Sequence, residues 1–240
     1  YLADLFRSQE RLEEAQSLYE QSLNLQERLL GPEHPDAAVS LGNLAELHYA
    51  LGRHETAGPL YERALAIAEK SLGPEHPQLA LTLNNLAVLL SVQGKYKSAE
   101  PLYRRSLAIR EKALGPNHPD VATTLGNLAV MYDAQSRYAD SEPLHKRALE
   151  IREETFGPDH PLVATSLHNL AEVELAQGMH SEAEALCDRA LAIVERTLGP
   201  DHLDVALILD DLALLYRETD RPDRAQAAEQ RAEAIHATKA

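Results

Sequence analysis

Five histidines are the first residues in this chain that could do chemistry. His34, His76, His118 and His160 each stand in a Gly-Pro-x-His-Pro run, and His202 in Gly-Pro-Asp-His-Leu. An imidazole can ligate a metal, move a proton or accept a backbone hydrogen bond at a helix start. A metal row would need partner ligands at fixed short spacing, and none accompanies these histidines. They read instead as entry-loop and cap residues. Cys187 is the only thiol, which excludes a disulfide framework and a multi-cysteine zinc site. It falls where Tyr61 and Tyr103 fall in their own segments, so it reads as a buried, inert packing residue. His145 shares that phase and reads as a core-edge residue. No His-Glu-x-x-His run and no glycine-rich phosphate loop after a strand occurs. The chain is therefore expected to be no enzyme, to take no cofactor and to hold no metal.

The elements that carry these residues repeat. The glycines of the five runs, Gly31, Gly73, Gly115, Gly157 and Gly199, are separated by 42 residues each time, without insertion. Counting the partial unit before Gly31 and the unit after His202, there are six repeats. Their bounds are approximately 1–30 (partial), 35–72, 77–114, 119–156, 161–198 and 203–238, one continuous array. Each repeat holds two amphipathic stretches and two breakers. In the third, Leu79, Leu83, Leu86, Ala87 and Leu90 mark a helix over 77–92. Gly94 breaks it. Ala99, Leu102, Tyr103, Ser106, Leu107 and Ile109 then mark a second helix over 96–114. Gly115 is expected to end it in the left-handed C′ conformation, with Pro116 unable to continue. His118-Pro119 opens the next helix, with Asp120 near its positive end. Pro59, Pro101 and Pro143 share one phase, so the second helix begins only a few residues before them.

Small residues set the helix crossings. Ala3, Ala45, Ala87, Ala129, Ala171 and Ala213 form one ladder. Ala15, Ala57, Ala99, Ser141, Ala183 and Ala225 form the next, and Ser22, Ala64, Ser106, Ala148, Ala190 and Ala232 the third. Every rung is Ala or Ser, so the six repeats must share one packing geometry, because a larger side chain would overpack the crossing. With aromatics at 5% and no Trp, the core is built from Leu and Ala, which suits helices. The exposed Arg and Glu of the second helices, such as Arg147 and Glu150, read as a solvated face.

Charge and hydropathy narrow the partners. The net charge of −15 sets the chain against nucleic acid and anionic lipid. No run of 18 apolar residues is present. The chain opens on Tyr1 with no signal segment, which reads as a fragment or as a chain with something removed. Lack of disulfides and of a leader is taken to favour the cytoplasm.

The second repeat offers Leu41-x2-Leu44-Ala45-x2-His48 and then Ala57-x3-Tyr61; the fourth offers Leu125-x2-Leu128-Ala129-x2-Tyr132 and then Ser141-x3-His145. This resembles the tetratricopeptide repeat, with Leu in place of its Trp and Ala in place of its Gly. The period is 42 residues rather than 34, so eight extra residues lengthen the second helix and its exit loop. That longer form, with Leu83-Asn84-Asn85-Leu86-Ala87, Gly94-Lys95-Tyr96 and Leu107-Ala108-Ile109-Arg110-Glu111-Lys112, resembles the repeats of kinesin light chains and their bacterial relatives. HEAT and armadillo arrays share the period range but lack this spacing. The resemblance covers the whole chain. It implies an all-α fold, an α-solenoid of six helix-turn-helix repeats coiled into a right-handed superhelix. The first helix of each pair would line a concave groove, and the function would be non-catalytic binding of a partner's peptide segment there.

The open face of the first helices then carries the candidate site. One position on it reads Tyr1, Asn43, Asn85, Asn127, Asn169, Asp211. Asn is a poor mid-helix residue, so its recurrence in phase calls for a reason. Its amide can hold a peptide backbone whatever the peptide's side chains, and in the resembling families an Asn at this phase contacts bound peptide. The alternative is that each Asn bonds the neighbouring helix and sets the stacking; both can hold at once. Flanking it are Gly42, Glu46 and Tyr49, then Asn84, Val88 and Val92, then Thr123, Val130 and Asp133, then His168 and Glu172, then Asp210, Leu214 and Arg217. The middle is apolar and the flanks acidic. Only Arg7 and Arg217 could clamp a terminal carboxylate, so neither the chaperone-tail specificity of one tetratricopeptide branch nor the acidic-cargo preference of kinesin light chains transfers. The expected partner is a neutral or basic protein or peptide with apolar anchors, not nucleic acid or a membrane. Two other roles stay open: a regulatory or sensor segment of a larger multidomain signalling protein, and a self-assembly module that associates through its terminal repeats.

Overall fold

The computed structural model describes residues 2–9 and 11–239. Every described regular element is a helix. They run α1 (Leu2–Ser8), α2 (Leu12–Leu30), α3 (Pro35–Ala50), α4 (His54–Leu72), α5 (Leu79–Val92), α6 (Tyr96–Leu114), α7 (Pro119–Asp133), α8 (Tyr138–Phe156), α9 (Pro161–Ala176), α10 (His180–Leu198), α11 (Leu203–Glu218) and α12 (Pro222–Lys239). No described helix is long and apolar enough to cross a membrane. Two compact units are present, Tyr1–Pro116 and Asn117–Ala240, each built of three antiparallel hairpins. In both, each first helix packs on its own second helix and each second helix on the first helix of the next repeat; α3 also touches α5, and α9 touches α7 and α11.

The cap chemistry expected of the five loop histidines is what the chain builds. His34, His118, His160 and His202 are N-caps with extended backbone, and each accepts at Nδ1 the backbone N–H two residues on, at 3.3, 3.1, 3.1 and 3.2 Å. His76 does the same to the N–H of Gln78 at 3.3 Å. There the regular helix starts at Leu79, not at residue 77. The first turn is wound tighter, with Leu79 N–H donating to the His76 carbonyl and Ala80 N–H to that of Pro77. Replacing His118 by Ala should cost about 1 kcal/mol, and replacing it by Ser, an alternative cap, much less. Urea denaturation of the two variants checks this, and equal losses would refute a capping role.

The helix ends depart from the expected left-handed geometry. Gly31, Gly73, Gly115, Gly157 and Gly199 have φ of +98°, +88°, +90°, +84° and +97°, but ψ of 155°, 160°, 158°, 161° and 159°. Left-handed helical ψ would be roughly +30 to +60°. The proline that follows each glycine is the reason. Its ring excludes helical ψ from the residue before it and drives that residue extended. Pro59, Pro101 and Pro143 also sit deeper than the first turn, each sixth in its helix. All three are exposed, as are Glu55, Lys97 and Ala139 four residues before them. The carbonyls that the prolines leave without an intrahelical donor therefore face water, which limits the cost.

The ladders of small residues are buried throughout, apart from Ser22, which is half-buried. The larger side chains fill the spaces beside them. In the first unit Tyr61, Leu86 and Leu89 pack around Ala45 and Ala57. In the second, Leu167, Cys187, Ile193, Ile208 and Leu212 share one core with Ala171, Ala190 and Ala213. The outer face does more than meet solvent. Arg63, Arg105, Arg189 and Arg231 each reach back one repeat, donating to the carbonyl of Pro32, Pro74, Pro158 or Pro200. Each also pairs with Glu27, Glu69, Glu153 or Glu195 of the same preceding helix. These arginines tie one repeat's exit loop to the next. They recur at multiples of the 42-residue period, each with a Glu 36 residues upstream.

Candidate functional site

The open face of the first helices carries a cavity at the same phase in each unit. In the first unit a cavity of about 280 Å³ lies between α3 and α5, lined by Val39, Asn43, Glu46, Leu81 and Asn85, with Tyr61 of α4 behind. In the second a cavity of about 240 Å³ lies between α9 and α11, lined by Thr165, His168, Asn169, Asp204 and Leu207, with Val194 of α10 behind. Residues 39, 43 and 81 of the first correspond, 126 residues on, to 165, 169 and 207 of the second. Two successive first helices diverge enough at this phase to leave a recess, and the Asn position opens into it.

The Asn positions divide by their bonding. Asn85 accepts from the Asn84 amide at 3.3 Å and bonds the phenol of Tyr61, a residue of the preceding repeat. It therefore takes part in stacking. For Asn43 and Asn169 no side-chain hydrogen bond is seen among the described residues, and both are half-buried against a cavity. Asn127 is half-buried and has an interaction partner. Tyr1, placed by phase on the same ladder, lies outside the described residues. Asp211 breaks the pattern: its Oδ2 accepts from His168 Nε2 at 2.6 Å.

The flanking residues also divide. Asn84, expected on the open face, is buried at 4% exposure, because its side chain turns toward Asn85 and the neighbouring helices. Tyr49 stacks on His54 of α4 with ring centroids 5.2 Å apart, so it serves the α3–α4 hairpin more than the open face. Glu46 is held by Arg7 at 2.9 Å. Asp133 is drawn to the buried His145 of α8, Oδ2 to Nε2 at 2.7 Å. Val88 is half-buried, and Val130, Glu172 and Asp210 are exposed, Asp210 within 3.1 Å of His236 Nε2. Arg217 pairs with Glu229. Both cations that could have clamped a carboxylate are thus already engaged.

An apolar row on this face escaped the sequence reading. Val39, Leu81 and Leu207 are exposed at 59%, 57% and 50%, one helical turn before the Asn positions, where the fourth and fifth repeats carry Thr123 and Thr165. The signal was the i−4 neighbour of each Asn, which must share its helix face.

Electrostatics concentrate in the second unit. Burial pushes the Glu172 carboxyl up, and the Asp211 and Asp133 carboxylates push it further, against the pull of His168 and His145. For His168, burial opposes the charged ring, yet the bond and charge of Asp211, with Glu172 and Asp204 beyond, hold its pKa above the ordinary histidine value. Burial pushes the Cys187 thiol up to about 12, the nearby carboxylates adding to the shift. A thiol so far from ionised at neutral pH is no nucleophile.

Comparison with known proteins agrees with this architecture. The tetratricopeptide repeat model matches residues 1–70, 41–112, 81–154, 120–186 and 162–237. No curated protein sequence matches significantly. Among solved structures, the putative kinesin light chain of Podosopora anserina, with nearly identical repeats, is 30% identical over 82% of this chain and 93% of its own, with a TM-score of 0.69. BtubC (BKLC) of P. vanneervenii is 24% identical over 95% of this chain and 92% of its own, with a TM-score of 0.78. The apo form of RapI is 15% identical over 98% and 94%, with a TM-score of 0.72, a likeness of fold. With hairpins, period, small-residue ladders and family model in agreement, the chain belongs to the tetratricopeptide repeat family, as an all-α solenoid of kinesin-light-chain-like 42-residue repeats.

Proposed function

We propose that this chain is a non-catalytic protein-interaction scaffold that holds a peptide segment of a partner against the open faces of its first helices. One observation carries the reading: a recess of similar size recurs at one phase of the repeat in both units, each with an Asn amide and an exposed apolar residue at its wall. An amide beside an apolar recess suits a peptide, whose backbone needs donors and acceptors and whose side chains need anchoring surface. A Rap protein, 17% identical to this chain with a TM-score of 0.65, has been solved in complex with competence and sporulation factor, which supports ligand holding by this type of fold. Glu172, Asp210 and Asp211 set the charge of the second unit's face, so the partner segment is neutral or basic, with apolar side chains for Val39, Leu81 and Leu207.

The test uses Asn43 and Asn169, whose side chains hold nothing else in place among the described residues. The Asn43→Ala/Asn169→Ala variant should keep the helicity and melting temperature of the parent while losing roughly tenfold or more in affinity for captured partner peptides. Unchanged capture would sink the role given to these amides. Preferential capture of acidic peptides, weakening with salt, would sink the assigned charge preference.

A further inference from the structure

We propose that His168, Glu172 and Asp211 form a site for one divalent transition-metal ion, clipped between α9 and α11. His168 and Glu172 stand one helical turn apart on α9, and Asp211 faces them from α11. One donor atom of each lies within 4.8 Å of the other two. An ion 2.0–2.2 Å from three such donors holds them roughly 3–3.5 Å apart. The His168–Asp211 contact at 2.6 Å has to open by less than about 1 Å, and the Glu172 carboxylate has to close in from a separation of at most 4.8 Å. A nitrogen with two carboxylate oxygens suits zinc, cobalt, nickel or manganese better than calcium or magnesium, which prefer oxygen alone. The cavity beside His168 gives the ion a way in and gives water room to complete its coordination.

A second line of argument comes from the repeat itself. The positions of His168 are Gly42, Asn84, Gly126 and Asp210 in other repeats; those of Glu172 are Glu46, Val88, Val130 and Leu214; those of Asp211 are Asn43, Asn85, Asn127 and Asn169. Single carboxylates occur at these phases elsewhere, at Glu46 and Asp210, but only here do a His, a Glu and an Asp coincide across two successive first helices and meet in space. No Lys or Arg pairs with Glu172 or Asp211 among the described residues; His168 bonds Asp211, and His168 and His145 act on Glu172. Asp204 and Asp133 add to the negative potential.

The test is titration of the tag-free full chain with zinc chloride by calorimetry, and with cobalt chloride by visible absorption. One equivalent should bind with a Kd of about 10 μM or tighter, raise the melting temperature and release protons in buffers near neutral pH. His168→Asn and Asp211→Asn should each weaken binding by roughly 100-fold, and Glu172→Gln, at an exposed position, by roughly tenfold. His160→Asn, which alters a loop cap, should leave the affinity unchanged. Should a variant at 168 or 211 fail to fold, Glu172→Gln alone decides. Absence of stoichiometric binding, or binding equal in the parent and in Glu172→Gln or His168→Asn, would overturn the site. Peptide capture by the metal-free chain is a separate readout, so the clip can fail while the scaffold reading stands.

Discussion

Truncating Tyr103 to Ala should remove about 3–5 kcal/mol from the stability of the hairpins it joins, the largest loss expected from a single substitution here. Tyr103, on α6, is 1% exposed, and its hydroxyl reaches Ser91 of α5. A void left by so buried a ring is costly because the surroundings relax only in part. Tyr103→Phe keeps the ring and gives up only the long contact to Ser91 Oγ at 3.5 Å, so it should cost under about 1 kcal/mol. The hydroxyl leaves its own signature in alkali. Burial pushes the phenol up to about 12, against an ordinary value of 10.0. The neutral phenol is therefore favoured in the fold. Its contribution is full below pH 10 and is lost as pH rises from 10 toward 12. Tyr103→Phe has no phenol to ionise, so in urea denaturation its small deficit should close and then reverse through that window. Equal losses in the Ala and Phe variants would show that ring packing is not what holds this hairpin pair.

Gly157→Ala is the second large effect, about 1–3 kcal/mol, and its cause is conformational rather than steric. A Cβ at Gly157 would meet nothing within 4 Å. The backbone, at φ +84° and ψ 161°, lies where side-chain-bearing residues are strained. The informative partner variant is Gly157→Asn. Asn tolerates the left-handed helical region, so it would rescue a left-handed helix cap. Here Pro158 bars helical ψ, and Asn should be no better than Ala. Thermal melts of the two variants decide the point: recovery in Asn would mean that the turn relaxes to the left-handed region despite the proline.

The periodic features of this protein were legible in its sequence because they repeat. The 42-residue step, the two helices per repeat, the alanine ladders and the histidine caps each occur several times in one phase. A local preference repeated at every unit leaves few alternative packings. One misreading came from a local rule applied without its neighbour. The glycine cap was assigned to the left-handed region although the proline after it was in plain view. The prolines of α4, α6 and α8 lie in the second turn, tolerated because their side of the helix meets water.

The candidate site divides along the same line. Helical phase alone puts Asn43, Asn85, Asn127 and Asn169 on one face, since side-chain direction follows from the 3.6-residue turn. Phase does not say which partner each side chain finds. The capture of Glu46 by Arg7 and of Asp133 by His145, and the approach of Asp211 to His168, depend on side chains 12 to 43 residues apart. By itself the sequence determined the repeat, the helices and the face they present, because these rest on short-range periodicity. Only the tertiary structure decided which polar groups on that face are spent on one another and which remain open. That choice is made by distances of a few ångströms between neighbouring helices, where a hydrogen bond or ion pair forms or fails.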